Sequence, residues 1–186
     1  MRGLLAFIAG LIIVPIAAAV YFFGGLVPVA ATDGPMPFEK RVANDSLHAR
    51  LRREAPQRDL STFTTTDQLA GADLYKKNCA FCHGLPKQPA PPWANGMYPH
   101  APQLFTAEGT VTDDPVGVTF WKVQNGIRLT GMPSFKASLT DQQMWQVAAI
   151  PALADKLPAE VLDALKPQTA AEAPASPPVT GSKPKR

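Results

Sequence analysis

The most informative stretch of this sequence is Cys79-Ala80-Phe81-Cys82-His83. Two thiols at this spacing can add to the two vinyl groups of one porphyrin, and the histidine that follows can present its imidazole to the iron. The pattern is typical of a covalent attachment site for c-type haem. The chain has only two cysteines, both in this motif, so no disulfide framework or second haem site competes for them.

Two other interpretations of the cysteine pair are a zinc site and a redox dithiol. A structural zinc site needs four ligands, and the only other histidines, His48 and His100, do not form a closely spaced pair. A thioredoxin-like dithiol is expected near a βαβ pattern, which the sequence lacks. The motif therefore predicts one covalent haem c, attached through Cys79 and Cys82 and ligated by His83, with zinc and an unligated dithiol as the alternatives.

The N-terminus carries a second strong signal. Residues 3–23 contain no charge and are long enough for an α-helix that crosses a bilayer. Pro15 lies inside this run, where lipid tolerates it as a kink. A cleaved secretory signal is the alternative, with Arg2 as its charged end and 29–31 as a cleavage site. Because the apolar run is longer than the core of such signals, we expect residues 1–31 to form an uncleaved signal anchor that contacts lipid through 3–23.

The side of the membrane follows from the haem motif. Positive residues normally stay inside, yet only Arg2 precedes the span and several Lys and Arg residues follow it. Haem c is attached on the outer side of the bacterial cytoplasmic membrane, so the motif outweighs this charge pattern. We expect an inner-membrane protein with its haem domain on the periplasmic side.

The rest of the chain divides by composition. Residues 32–63 are predicted to be a periplasmic linker, in which 38–54 form either a short amphipathic helix or a solvated spacer. Residues 64–166 are predicted to be an all-helical haem domain. Residues 167–186 are rich in Pro and Ala, lack large apolar side chains and are predicted to be a disordered tail. The net charge of +3 is too small to indicate nucleic acid binding.

Capping signals place the helices of the predicted domain. Thr65, Thr66 and Asp67 offer N-caps for a helix that delivers the cysteines at its end. Asp113-Asp114-Pro115 should start a helix that stops at Asn125-Gly126, and Thr140 with Gln143 has the form of a capping box before the last core helix. Pro151 should kink or end that helix. A proline-rich loop, 84–112, lies between the cysteine motif and the helix that starts near Asp113. We expect it to cover the haem edge with Trp93, Tyr98, Leu104 and Phe105.

A second axial ligand would keep the iron low-spin. Met132 lies in a loop between two predicted helices, and a methionine thioether in that position favours the reduced iron. Gly131 before it allows close approach of the backbone, and Pro133 stiffens the loop. Met97 and His100, both in the long loop, are the alternatives.

These residues together resemble a known family. Gly71-x-x-Leu74-Tyr75 precedes the cysteine motif, Asn125-Gly126-Ile127 and Gly131-Met132-Pro133 follow it, and Trp145 lies in the last helix. This order resembles the class I, mono-haem, His/Met cytochromes c, in particular the membrane-anchored bacterial type. The resemblance implies an all-α cytochrome c fold wrapped around one haem, in which Gly71 and Tyr75 meet Trp145. It also implies that His83 and Met132 are the axial ligands.

The expected function is single-electron transfer between membrane redox complexes, not catalysis. An iron with two protein ligands has no open position for a substrate, so the protein would act as an electron carrier. The alternatives are a cytochrome c subunit of a larger respiratory or dehydrogenase complex and, less favoured, a haem sensor or peroxidase-like catalyst. The last two activities require an open or labile sixth position.

Overall fold

The computed structural model describes residues 2–106 and 112–167. Its elements are α1 (Arg2–Phe23), α2 (Glu39–Glu54), α3 (Thr65–Asn78), α4 (Ala80–His83), α5 (Pro92–Asn95), α6 (Val116–Asn125), α7 (Asp141–Ala152) and α8 (Ala159–Ala164). A single 3-10 turn, Leu60–Thr62, precedes α3. The described residues contain no strand, which confirms the all-α prediction. The predicted disordered tail lies, apart from Pro167, outside the described residues.

Helix α1 contains the apolar run found in the sequence. It has 22 residues and a mean hydropathy of 2.6 over its most apolar window, so its length and composition suffice to cross a membrane. Pro15 lies inside the helix without ending it. The chain thus has an N-terminal helix that qualifies as a membrane span.

Helices α3 and α7 both begin with a capping box. The Thr140 hydroxyl accepts a hydrogen bond from the Gln143 N–H, and the Gln143 side chain accepts one from the Thr140 N–H, as predicted. In α3 the cap is Thr64, one residue before the predicted candidates. Thr64 is the cap because it and Asp67 bond to each other in both directions. The Thr64 hydroxyl accepts from the Asp67 N–H, and the Asp67 carboxylate accepts from the Thr64 N–H, which satisfies two backbone donors at the helix start.

The core lies where α3 crosses α7. Gly71 is buried in this crossing, and a Cβ built on it would lie 2.3 Å from the carbonyl oxygen of Gln146. Only a glycine lets the two backbones approach this closely. Helix α7 continues through Pro151 and ends at Ala152, so the proline precedes the helix end by one residue. Helix α8 packs on α3 and closes the core with Val161.

The aromatic contacts of this core differ from those that the resemblance implied. Trp145 stacks on Phe120, with ring centroids 4.0 Å apart, and lies 6.5 Å from the ring of Phe63. The ring of Tyr75 meets Phe105 edge to face at 5.4 Å. Gly71 faces α7 as expected, but the residue of α7 that lies against it is Gln146. Trp145, the preceding residue, packs on Phe120 of α6 instead.

The segment before α3 packs on the helical core. Leu51, near the end of α2, is 4% exposed, and the Trp121 indole N–H donates to the Glu54 carboxylate at 3.2 Å. Phe63 belongs to the core cluster, with the Arg58 guanidinium 4.5 Å above its ring. A domain boundary at residue 64 stays a prediction, but the chain from Leu51 onward is not a free spacer.

Candidate haem-binding site

The cysteine motif lies on the single turn that follows α3. Cys79 is both the C-cap of α3 and the N-cap of α4. Its carbonyl oxygen accepts hydrogen bonds from the N–H groups of Cys82 (3.0 Å) and His83 (2.9 Å). This tight turn brings all three functional side chains to the wall of one cavity. Burial, with a smaller contribution from Cys82, raises the pKa of the Cys79 thiol to about 12, so it is protonated at neutral pH.

The imidazole of His83 is held in one orientation. Its Nδ1 lies 2.8 Å from the Pro102 carbonyl oxygen, and since a carbonyl only accepts, Nδ1 carries the proton. Nε2 is left with a free lone pair, the form that binds iron. Burial lowers the pKa of His83, despite the opposing hydrogen bond to Pro102, and so favours the neutral ring.

The long loop after the motif folds back onto it. The Gln103 side-chain amide donates to the Cys82 carbonyl at 3.0 Å, and the Leu104 N–H donates to the His83 carbonyl at 3.2 Å. Tyr75, buried in α3, donates its hydroxyl to the Gly84 carbonyl at 3.1 Å. The backbone on both sides of His83 is therefore fixed by bonds from distant residues.

Two of these residues, Pro102 and Gln103, carry no signal that sequence analysis could detect. Pro102 and Gln103 orient His83 and Cys82, yet they lie about twenty positions away in a loop whose composition indicates only irregular structure. Their role depends on where the loop returns. No local pattern identifies such partners, because the hydrogen bonds join residues that only the tertiary fold makes neighbours.

The cavity suits a large apolar ligand. The cavity has a volume of about 210 Å³ and is partly open to solvent. Its walls are mainly apolar and include Leu104, Val123, Ile127, Phe135, Val147 and Pro151. The thiols of Cys79 and Cys82 and the imidazole of His83 line this same cavity. The residues present therefore fit a covalently attached haem.

Only one of the four predicted loop residues lines this cavity. Leu104 does so, whereas Phe105 packs on Tyr75 and Tyr98 lies outside the lining. Trp93 stacks on Phe81 at 4.7 Å and donates its indole N–H to the Phe81 carbonyl, and it remains 49% exposed. The prediction that these three loop residues line the cavity was wrong; Trp93 and Phe105 pack against other aromatic rings instead.

The loop that carries Met132 is rigidly tied to α6. Gly126 ends α6 with φ +67, and a Cβ there would meet the backbone of Met132, Pro133 and Ser134 at 2.7 to 2.9 Å. The Met132 carbonyl accepts from the Ile127 N–H at 3.1 Å, and the Met132 N–H donates to the Thr130 hydroxyl at the same distance. Met132 also packs against the core cluster, so its position is set by several independent contacts.

All candidate axial ligands line the same cavity. His83, Met132, Met97 and His100 face it together. The Met97 sulfur lies 3.3 Å from the point where a Cβ on Gly131 would be, next to Met132, while His100 is exposed. Of the three candidates for the sixth position, Met132 has the most backbone hydrogen bonds to hold it.

The zinc alternative gains no support from the described residues. Within residues 2–106 and 112–167, no group of three or more His, Cys, Asp and Glu side chains is placed to hold a metal ion. His48 lines a different groove, between α2 and α6. The cysteine motif therefore lacks the further ligands that a structural zinc site requires.

Comparison with known proteins agrees with this geometry. Residues 66–149 match the family model described as cytochrome c oxidase, cbb3-type, subunit III. With the all-helical fold, this match supports a mono-haem class I c-type cytochrome domain in residues 66–149, as the resemblance implied. A cytochrome c domain in these residues supports a role in electron transfer and implies haem c as the cofactor.

The family match covers only part of the chain. It begins inside α3 and ends inside α7, so α1, α2 and α8 lie outside it. No curated protein and no solved structure matches the chain.

Proposed function

We propose that this protein binds a single haem c through thioethers to Cys79 and Cys82, with His83 and Met132 as axial ligands, and that it carries single electrons. The bound haem would supply the Fe(III)/Fe(II) couple. The observation that carries the proposal is that His83 and Met132 line one cavity and that each is held by hydrogen bonds that do not depend on the other.

The protein residues would hold the axial ligands in place and keep water away from the haem. Pro102 keeps the proton of His83 on Nδ1, and therefore leaves Nε2 available. The loop from Gly126 to Met132 keeps the thioether in place, and the aliphatic walls exclude water from the ligand. A haem ligated on both sides and shielded in this way changes its redox state with little rearrangement, as an electron carrier requires.

We infer that the carrier is membrane-anchored and faces the periplasm. Helix α1 supports the anchor by its length and composition, and the cysteine motif supports the periplasmic side because haem c is attached outside the cytoplasmic membrane. Membrane-bound redox complexes would then be its electron donor and acceptor, reached by diffusion in the plane of the bilayer.

A second candidate is a stable cytochrome c subunit of a larger oxidoreductase complex. The observation in its favour is the family description, which names a subunit of an oxidase. The two candidates differ in particle size in mild detergent. A carrier purifies as a single small species, whereas a subunit of a complex, extracted from its native membrane, migrates with several other chains.

Absorption spectroscopy tests the site. After expression with a haem c maturation system, we expect a covalently bound low-spin haem, a methionine-to-iron charge-transfer band in the oxidised protein, and no reaction of the reduced protein with carbon monoxide. Met132→Ala should lose the band and bind carbon monoxide, and Met97→Ala, the matched control in the same cavity, should keep the band. A high-spin wild-type haem that binds carbon monoxide would refute the carrier proposal and favour a sensor or peroxidase-like catalyst.

A further inference from the structure

We propose that Lys122 binds a propionate carboxylate of the haem and thereby raises the reduction potential of the iron. The inference rests on the haem site proposed above. It concerns the only formally charged side chain among the described residues that line the cavity, since the other polar groups there are neutral amides, hydroxyls, thiols and histidines.

Lys122 lies in the last turn of α6, one position before the buried Val123. Its side chain is only 25% exposed and forms part of the cavity wall. An ammonium at the wall of an apolar cavity needs an anionic partner, because burial of an unpaired charge is unfavourable. The haem supplies two carboxylates on one edge of an otherwise apolar ring.

The protein itself offers Lys122 a weak counter-ion. The Nζ atom lies 3.9 Å from the Asp114 carboxylate, near the outer limit for an ion pair and too far for a hydrogen bond. Within residues 2–106 and 112–167, Nζ makes no hydrogen bond. An ammonium carries three donors, so its capacity to hold a carboxylate is still available.

Lys122 also borders a second groove. That groove lies between α2 and α6 and includes His48, Arg52 and Asp114. The groove and the haem cavity share Lys122, which therefore stands between the haem and the segment that leads to the membrane. Asp114 would orient the lysine from the groove side while the propionate binds it from the cavity side.

The charge has a predictable effect on the iron. Oxidation adds one positive charge to the haem, and a nearby ammonium opposes it, so Lys122 favours the reduced state and raises the potential. Because the side chain is mostly buried, salt should screen this interaction less than it screens an exposed charge.

The test is the midpoint potential of the full-length holoprotein, measured by spectroelectrochemical titration at low and high salt. Lys122→Gln should lower the midpoint potential at both salt concentrations. Lys122→Arg, which keeps the positive charge, should have a potential close to that of the wild type. Lys156→Gln is the matched control, since Lys156 is 76% exposed and paired with Asp155. It removes the same charge and should give a smaller shift that high salt abolishes.

Infrared spectroscopy reports on the propionate carboxylates directly, so this second test does not depend on how stable the Lys122→Gln variant is. In the redox difference spectrum of wild-type protein with haem isotope-labelled at the propionate carboxyls, we expect a carboxylate band that moves in Lys122→Arg and not in Lys156→Gln. Equal shifts of potential for the Lys122 and Lys156 variants, or an unmoved carboxylate band, would overturn the inference while the haem site stands. Absence of covalent haem in the wild type would refute the proposed function and this inference together.

Discussion

Gly71 and Gln146 lie in backbone contact where α3 crosses α7: a Cβ on the glycine would be 2.3 Å from the Gln146 carbonyl oxygen and 3.1 Å from the Ile150 side chain. The first of these neighbours is helical backbone, which cannot rotate away. The crossing distance of the two main helices is therefore fixed by the absence of one methyl group.

Gly71→Ala should destabilise the protein. Alanine favours the helix by about 1 kcal/mol over glycine, but the added carbon forces the helices apart, and overpacking costs about 1–3 kcal/mol or more in a tight core. Urea unfolding of the holoprotein, followed by circular dichroism, measures the net loss. Thr66→Ala, at an exposed position of the same helix, is the control. An increase in stability of Gly71→Ala would show that the crossing can widen freely.

Gly117→Ala should release the segment that precedes α3. A Cβ at Gly117 would lie 1.6 Å from the Pro56 carbonyl oxygen, so one of the two backbones must move. The chain around Pro56 is the less constrained of the two and should leave α6, which breaks the bond between Trp121 and Glu54. Limited trypsin digestion should then cleave faster after Arg58, as mass spectrometry of the fragments would reveal. Gln124→Ala in the same helix should leave this rate unchanged, and an unchanged rate in Gly117→Ala would contradict the packing.

Asp67 should contribute to stability in a pH-dependent way. One carboxylate oxygen accepts hydrogen bonds from the side-chain amides of Gln146 (3.0 Å) and Gln142 (3.1 Å), and the other accepts from Thr64. These bonds, that of Gln146 foremost, lower the pKa of Asp67. A lowered folded-state pKa stabilises the fold above the unfolded pKa of about 4, and this contribution is lost as pH falls through the folded value.

The corresponding variant is Asp67→Asn. Its deficit in unfolding free energy relative to wild type should be largest near neutral pH and should shrink as pH falls below about 4. Asp73→Asn, which removes an exposed ion pair with Lys77, should cost less at neutral pH. Denaturant unfolding over a pH series measures both, and a deficit that stays constant with pH would show that the charge of Asp67 is not involved.

Tyr75→Phe should loosen the backbone beside His83, the proposed haem ligand. The Tyr75 side chain is 1% exposed, burial raises its pKa above the ordinary value, and its protonated hydroxyl donates to the Gly84 carbonyl. Removal of this hydrogen bond should cost about 0.5–1.5 kcal/mol, and leaves a carbonyl next to His83 without that donor. Thermal unfolding of the holoprotein gives the loss, and amide hydrogen exchange at Gly84 and Leu85 should increase. Unchanged exchange there would mean that the hydroxyl does not hold this turn.

Much of the fold followed from local signals. The capping box at Thr140, the stop at Gly126 and the apolar run of α1 each appeared in the sequence, because helix ends and helix faces depend on residues within one or two turns. For residues 38–54 the sequence slightly favours a solvated spacer over a helix, yet they form α2, whose Leu51 is buried. Its contact with α6 had no local signal, since it depends on Leu51 and Glu54 meeting residues more than sixty positions away.

The sequence by itself determined the chemistry of this protein. Two cysteines and a histidine at fixed spacing predict covalent haem attachment, because the thiols must reach two vinyl groups of one ring, and a resemblance carried by a few short motifs indicated the class I cytochromes. The tertiary structure decided which partners orient that chemistry. Pro102 at His83, Gln103 at Cys82, the contacts of Trp145 and the place of Lys122 between two cavities all arise from chain segments that meet only after folding. Such contacts leave no periodic or spaced pattern, because they depend on the path of loops through space and not on the order of residues along them.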